Sequence, residues 1–289
     1  MGGESDNFLP PTALCFSATD PTGGAGLQAD IMTLLANGCY PLTITTAITA
    51  QDSIGVSHIE SLSGEQCRRQ INTLLDDLQA PIDAVKIGLA GSLENIQPIV
   101  ETIKKLLRQQ NHNLYVVCDP VLASGRGDKF VDEGMMQAMC EDLLPLVSVL
   151  TPNSSEAMCL ASHIQATPCD DVSSSEEAIS SCSQALLSTG CAAVIIKGAD
   201  NVGDTIKHHY YDKMGDHFSL QCERLPNTYH GSGCTFAAAI TAGLAHGKSR
   251  RDSIQHAHNY SYASLQNAYR FGCGQLIPNR MHHQRCTNN

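Results

Sequence analysis

Residues 229–240 read "YHGSGCTFAAAI", a glycine-flanked turn leading into a run of small residues able to form a helix. Such a turn presents unpaired backbone N–H groups and the positive end of a helix dipole, a setting suited to an anion. Cys234 falls in the first helical turn. Gly231, Ser232, Gly233 and Cys234 together could surround a transferring phosphoryl group and stabilise charge on its equatorial oxygens. From there the sulfur could accept the proton of an attacking hydroxyl, with the helix N-terminus lowering its pKa. Phosphoryl transfer passes through a loose transition state with late proton loss, so placement counts for more than base strength. The plainer reading of Cys234 is a buried thiol beneath the helix. Ala237, Ala238, Ala239, Ala242 and Gly243 are small enough to let that helix lie close against a sheet.

Other glycines and acids divide into candidates and decoys. The loop from Thr19 to Gly26 holds Asp20 and three glycines ahead of a helix beginning near Leu27, and can bring bare backbone against a ligand. It lacks the G-x-G-x-x-G spacing of a dinucleotide fingerprint, and a turn needing positive φ would explain it equally. "GLAHGKS", Gly243 to Ser249, has three residues between its glycines where a P-loop has four, and it ends a helix; Gly247 reads as a terminator and Lys248 as solvent-facing. In "TPNSSEA", Asn153 and Glu156 stand three residues apart at a strand end and helix start. They form either a capping box or, facing a crevice with Asp119 of "VCDPV", a site for hydrated Mg²⁺, which keeps water and phosphate ligands. Asp119 has its own plain alternative, a turn or cap ahead of Pro120.

These residues sit in loops that strands and helices must position. Strand-like runs recur at 13–18, 42–48, 83–88, 114–119, 147–151 and 192–198, with helix-like runs between them. The alternation predicts an α/β fold with a mostly parallel, doubly wound central sheet flanked by helices. Helices are expected from "LQADIMTLLANG", "CRRQINTLLDDL", "LENIQPIVETIKKLLRQ", "VDEGMMQAMCEDLLPL" and "SSEEAISSCSQALLSTG". "HHYYDKMGDHFSLQCERL" reads as a late β-hairpin, and helices at about 233–246 and 251–269 follow. In such sheets ligands bind beyond the carboxyl ends of the strands, where the candidate loops fall. No linker or repeat divides the chain: one domain is expected over 12–280, between flexible segments 1–11 and 281–289.

Composition narrows the partners. With 18 Lys plus Arg against 29 Asp plus Glu, the formal charge of −11 argues against nucleic acid or anionic membrane as a partner. No apolar run approaches a membrane span, and "MGGESDNFLPPT" lacks signal-peptide order, so a soluble cytoplasmic protein is expected. Asp6 stands where a myristoylation signal wants Ser or Thr. The 13 cysteines, an odd number without a C-x-x-C pair, lie mostly in apolar runs and read as reduced, buried thiols. "HAH" at His256 to His258 reads as surface.

Taken in order, "TDPTGGAGLQADI", "AQDSIGV", "VKIGLAG", "DPV", "TPNSSEA", "IIKGA", "HGSGCT" and "GQLIPNR" resemble the hydroxymethylpyrimidine and phosphomethylpyrimidine kinases of thiamine biosynthesis, within the ribokinase-like superfamily. The resemblance spans about Thr12 to Arg280. It implies ATP and Mg²⁺, phosphorylation of 4-amino-5-hydroxymethyl-2-methylpyrimidine and then of its monophosphate, and a homodimer, as is common in the superfamily. It assigns Asp20, Gly24, Gln51, Leu89 and Val121 to the substrate. Lys197, Gly198 and Asn153 go to the nucleotide, Asp119 and Glu156 to the metal, Gly231 to Cys234 to the anion hole, and Cys234 is the base. The Gln51 amide offers a donor and an acceptor that match an aminopyrimidine edge.

Some residues depart from the pattern. Leu89 stands where methionine is frequent, and Ser232 where threonine is commoner. "KGAD" replaces "KGGH", and "ASGRG" replaces a "KSG" stretch, so Ser124 to Gly127 could form a different lid. Rival readings are a pyridoxal or pyridoxine kinase on the same scaffold, a non-catalytic pyrimidine binder, and a thiol hydrolase pairing Cys234 with His230, for which the sequence reveals no third, orienting group.

Overall fold

In the computed structural model, residues 9–109, 114–123, 130–166, 175–199 and 203–283 are described. Their nine strands are β1 (Thr12–Thr19), β2 (Tyr40–Gln51), β3 (Val56–Ser61), β4 (Ala84–Ile87), β5 (Tyr115–Cys118), β6 (Val149–Leu150), β7 (Ala193–Ile196), β8 (Thr205–Asp212) and β9 (His217–Glu223). They form one sheet in the order β3-β2-β1-β4-β5-β6-β7-β8-β9. From β2 to β7 every neighbouring pair is parallel; β3, β8 and β9 join antiparallel at the two edges. The central strands are buried along nearly their whole length and mostly apolar because helices cover both faces, so no polar alternation is wanted. This is the predicted fold class, and the late hairpin is β8–β9.

The helices are α1 (Gly26–Ala36), α2 (Gly64–Asp77), α3 (Leu93–Gln109), α4 (Glu133–Ala138), α5 (Ser154–Gln165), α6 (Glu176–Ser188), α7 (Ser232–Ala245) and α8 (Arg250–Gln266). One face of the sheet is closed largely by α2, α3, α5 and α6, whose apolar residues join Leu14, Val85, Val116 and Val194 in the main core. On the other face α7 packs against β1, β4 and β5, with Ala237, Ala238 and Ala239 fully buried. Gly243 has a different neighbour from the one expected. A Cβ there would stand 2.7 Å from Ser253 Oγ, so this glycine admits α8, not the sheet.

Several boundaries moved. The strand expected at 42–48 runs from Tyr40 to Gln51 and turns back as β3, which lies at the edge, is only partly buried and carries little apolar signal. The helix expected over "VDEGMMQAMCEDLLPL" is α4 followed by a π turn, Met139–Leu143, and a 3₁₀ turn, Leu144–Leu146, where Pro145 removes a donor. The strand expected at 147–151 shrinks to two residues. His256 and His258 are not the surface pair expected. His256 Nε2 lies 2.7 Å from Asn37 Oδ1, and His258 is buried edge-on against His208, because α8 is covered on both flanks. The described cysteines are free and mostly buried, as expected. Residues 1–8 and 284–289 of the expected flexible segments, and the expected lid at Ser124 to Gly127, lie outside the described residues.

Candidate active site

Helix caps separate the scaffold from the site. Ser63, Asp132, Asn153, Ser175 and Ser249 cap α2, α4, α5, α6 and α8 with a side-chain oxygen. Neither α1 nor α7 has a side-chain cap or an acid in its first turn, so their terminal N–H groups and positive dipole ends are left for something else. At the α7 end, Gly231 is left-handed with φ of 76°, and a Cβ there would collide with the Gly24 carbonyl oxygen. The anion-binding turn and the first glycine loop therefore touch directly.

This turn divides two cavities. Ser232 and Gly233 line the larger, about 350 Å³, together with Asn153, Lys197, His208 and Phe236. Cys234 lines the smaller, about 120 Å³, with Gln51, Leu89, Val121, Phe130 and His230. The larger has room for an extended polar ligand; the smaller suits a single ring.

Charge collects on the larger side. Lys197 Nζ donates to Asp119 Oδ1 at 2.7 Å, and Thr151 Oγ1 donates to the same oxygen at 3.1 Å. A Cβ on Gly233 would lie 3.0 Å from Lys197 Nζ and 3.5 Å from Asp119 Oδ2, so the pair stands directly beside the turn. Burial works against both charges. Lys197 and Lys86 nevertheless hold the Asp119 carboxyl below its ordinary range, and Asp119 with Glu156 holds Lys197 above its own. Asn153 and Glu156 do form the capping box, each accepting from the other's backbone N–H at 2.8 Å. Glu156 is half-buried beside this group: loss of solvent, opposed by Lys197 and reinforced by Asp119, pushes it up to about 7. Gly198 N–H donates to His208 Nδ1 at 3.2 Å.

Among the described residues no group of three or more His, Cys, Asp or Glu could hold a metal ion. A Mg²⁺ shared with a nucleotide asks for less, one or two carboxylates with the remaining ligands from water and phosphate. Asp119 and Glu156 fit that donor set.

In the smaller cavity Gln51 closes β2. Its Nε2 donates to Thr49 Oγ1 at 2.7 Å, and Thr49 Oγ1 donates to Thr19 O at 2.8 Å, which orients the amide. The Gln51 Oε1 and second N–H remain for a ligand. Leu89 and Val121 line the same cavity, whereas Gly24 does not; it lies against the His230 ring.

Asp20 and Cys234 have surroundings that the sequence does not disclose. Asp20 is fully buried, and its carboxylate is used within the loop. Oδ1 accepts from the Thr22 N–H and hydroxyl, and Oδ2 accepts from Ala25 N–H at 2.7 Å and meets His230 Nε2 at 2.8 Å. It shapes the loop and aims His230. Burial opposes its charge, yet these bonds hold its pKa below the usual range. Burial pushes the Cys234 thiol up, against the pull of Lys86 and a hydrogen bond from Gly26 N–H, so the expected lowering is reversed.

Sequence reasoning missed His230 as a cavity residue. Asp20 is the orienting group not visible in sequence, but among the described residues no hydrogen bond joins His230 to Cys234. Lys86 was missed too. It lies fully buried beside Asp30, Nζ to Oδ2 2.9 Å, and a lysine inside the apolar run "AVKI" was the available signal.

Residues 20–279 match the family model described as phosphomethylpyrimidine kinase. Over 265 residues the chain is 33% identical to the hydroxymethylpyrimidine/phosphomethylpyrimidine kinase of Rhizobium meliloti, covering 91% of this chain and 93% of that one. The Staphylococcus aureus protein of the same name is 34% identical over 269 residues, 92% of each. Among solved structures, the pyridoxal kinase of Staphylococcus aureus in complex with pyridoxal superposes with a TM-score of 0.82 at 28% identity, covering 96% of both chains. The phosphomethylpyrimidine kinase of Clostridium difficile gives 0.70 at 29%, covering 87% and 97%. No helix among the described residues is long and apolar enough to cross a membrane.

Proposed function

The chain belongs to the hydroxymethylpyrimidine/phosphomethylpyrimidine kinase family, of ribokinase-like fold, and from that premise we propose which reaction it runs and with which residues. It transfers the γ-phosphoryl group of ATP to the hydroxymethyl oxygen of 4-amino-5-hydroxymethyl-2-methylpyrimidine, and then phosphorylates the monophosphate. The observation that carries this reading is the partition: Ser232 and Gly233 face one cavity, Cys234 faces the other, and Gln51 shares the second.

ATP lies in the larger cavity, with Lys197, Gly198 and Asn153 toward its phosphates. Asp119 and Glu156 would hold Mg²⁺, which when bound would supply positive charge against the phosphates. The backbone donors of Gly231 to Cys234 take up the charge that develops on the transferring group. The pyrimidine ring lies in the smaller cavity between Leu89 and Val121, with its amino edge on Gln51. Cys234 takes the hydroxyl proton. A thiol raised by burial is sparsely ionised at neutral pH, which late proton loss tolerates because placement counts for more than base strength. Turnover should therefore keep climbing above about pH 8.5, the ordinary thiol value.

The test offers hydroxymethylpyrimidine, its monophosphate and pyridoxal in parallel with ATP and Mg²⁺ and follows ADP release. Cys234→Ala should bind substrate and lose most turnover, on the order of 100-fold; unchanged turnover removes the base. Pyridoxal is the second reading, favoured by the fit to a pyridoxal kinase. Gln51→Leu should weaken the pyrimidine more than pyridoxal, and equal losses count against edge recognition. A cytoplasmic homodimer completes the proposal, and light scattering on the purified chain tests the dimer.

A further inference from the structure

No step of that reaction uses residues 274–280, "GQLIPNR". The segment follows α8 and crosses three loops of the site. Gly274 N–H donates to Ser53 Oγ at 3.0 Å and Gln275 N–H to Ser53 O at 2.7 Å, two residues beyond Gln51. Leu276 N–H donates to Thr228 O and its carbonyl accepts from His230 N–H, both at 2.9 Å, just ahead of the anion-binding turn. The crossing ends at Arg280, which is 2% exposed.

The guanidinium of Arg280 makes three contacts. Nη1 donates to Gly23 O at 3.1 Å, Nη2 to Gly24 O, and Nε to Thr235 Oγ1 at 3.0 Å. Thr235 Oγ1 in turn donates to Gly231 O at 2.9 Å. One side chain thus spans the first glycine loop and reaches, through a single hydroxyl, the residue that opens α7. Across the same seam Gly26 N–H meets the Cys234 sulfur, and the Gly231 backbone abuts the Gly24 carbonyl. Tyr260 OH anchors the segment from behind by donating to Arg280 O at 2.7 Å. Two carbonyl oxygens of the glycine loop and a hydroxyl oxygen of the first turn of α7 take up the donors. A planar fork can serve all three at once, and a lysine ammonium cannot do so with the same geometry.

We propose that Arg280 is a positioning residue for phosphoryl transfer, a clamp that fixes the Gly23–Gly24 loop against the first turn of α7 and so sets where Cys234 and the backbone donors meet the reacting groups. The inference rests on the kinase reading above. It requires that loss of the clamp loosen these two loops, not the whole fold, and that it lower kcat much more than it raises KM. Displacing reacting groups by an ångström costs on the order of 100-fold in rate.

The experiment compares the full chain with Arg280→Ala and Arg280→Lys by amide hydrogen exchange and by steady-state kinetics. In Arg280→Ala, peptides covering 20–26 and 231–236 should exchange about tenfold faster while α3, remote from the clamp, keeps the parent rate. The kcat should fall on the order of 100-fold, with KM for ATP within about threefold of the parent. Arg280→Lys retains the charge, guards against an Ala variant that fails to fold, and should show the same local pattern at smaller amplitude. Parent exchange at both loops in a folded variant overturns the clamp, as does faster exchange spread evenly through α3. A parent chain that fails to phosphorylate the pyrimidine overturns the reading of function instead, and the exchange result still decides the clamp.

Discussion

Two lysine–aspartate pairs flank the turn that carries Cys234, and they differ mainly in access. Lys86 and Asp30 are both 0% exposed and lie behind the turn, sealed between β4 and α1. Lys197 and Asp119 are 11% and 4% exposed, and Lys197 opens onto the larger cavity beside Gly233. The same chemistry therefore has two uses. A sealed pair can only set a fixed potential, and Lys86, kept charged by Asp30 despite burial, does this beneath the sulfur. A pair with one open side can exchange its partner for an incoming phosphate.

The largest effect should come from breaking the sealed pair. Lys86→Met leaves Asp30 buried without its cation and is expected to destabilise the protein by about 3–5 kcal/mol. Urea unfolding measures this. Replacing both partners, Lys86→Met with Asp30→Leu, should recover most of the loss, because two apolar side chains need no pairing. A double variant as unstable as the single one would mean that Lys86 contributes through packing, and the contrast would fail.

The open pair should respond in rate, not in fold. On the proposed reaction, Lys197→Met is expected to lower turnover on the order of 100-fold, because it removes the cation beside Gly233 that would face the transferring group. Its urea midpoint should fall less than that of Lys86→Met, since Asp119 keeps the Thr151 hydroxyl and the field of Lys86. A Lys197 variant that unfolds early yet turns over normally would reverse the two roles.

The contrast also marks what the chain alone discloses. The parallel sheet, the late hairpin and the α7 turn are legible, because apolar runs, alternation and glycine placement are local signals. Cys234, Gln51, Leu89 and Val121 were nominated from sequence and share one cavity. Sequence could not decide what occupies Asp20, since its partner His230 lies 210 positions away. Nor could it separate the lysines: Lys197 ends a strand and could have been exposed, while Lys86 interrupts an apolar one. Burial at those positions is decided by the helices that pack over them. The direction of the Cys234 shift was lost for the same reason. A helix N-terminus is visible in sequence, and the loss of solvent around the thiol is not.

His208 offers the smallest and sharpest test, because it is a half-buried base and the charged groups that act on it, His258, Lys197 and His209, are themselves basic. It lines the larger cavity, accepts from Gly198 N–H, and packs against Phe236 and His258. Burial, with added repulsion from His258, Lys197 and His209, takes its pKa down to about 3. The unfolded chain titrates this group near the ordinary histidine value of about 6.5, so below that pH the unfolded state binds more protons. Stability from His208 is therefore complete above about pH 6.5 and declines as the pH falls toward 3, by about 2 kcal/mol at pH 5. His208→Gln keeps an acceptor for Gly198 and cannot be protonated in this range. Its unfolding free energy should lose part of the parent's decline between pH 7 and pH 5, in urea titrations at each pH. An unchanged slope would place the acid sensitivity elsewhere.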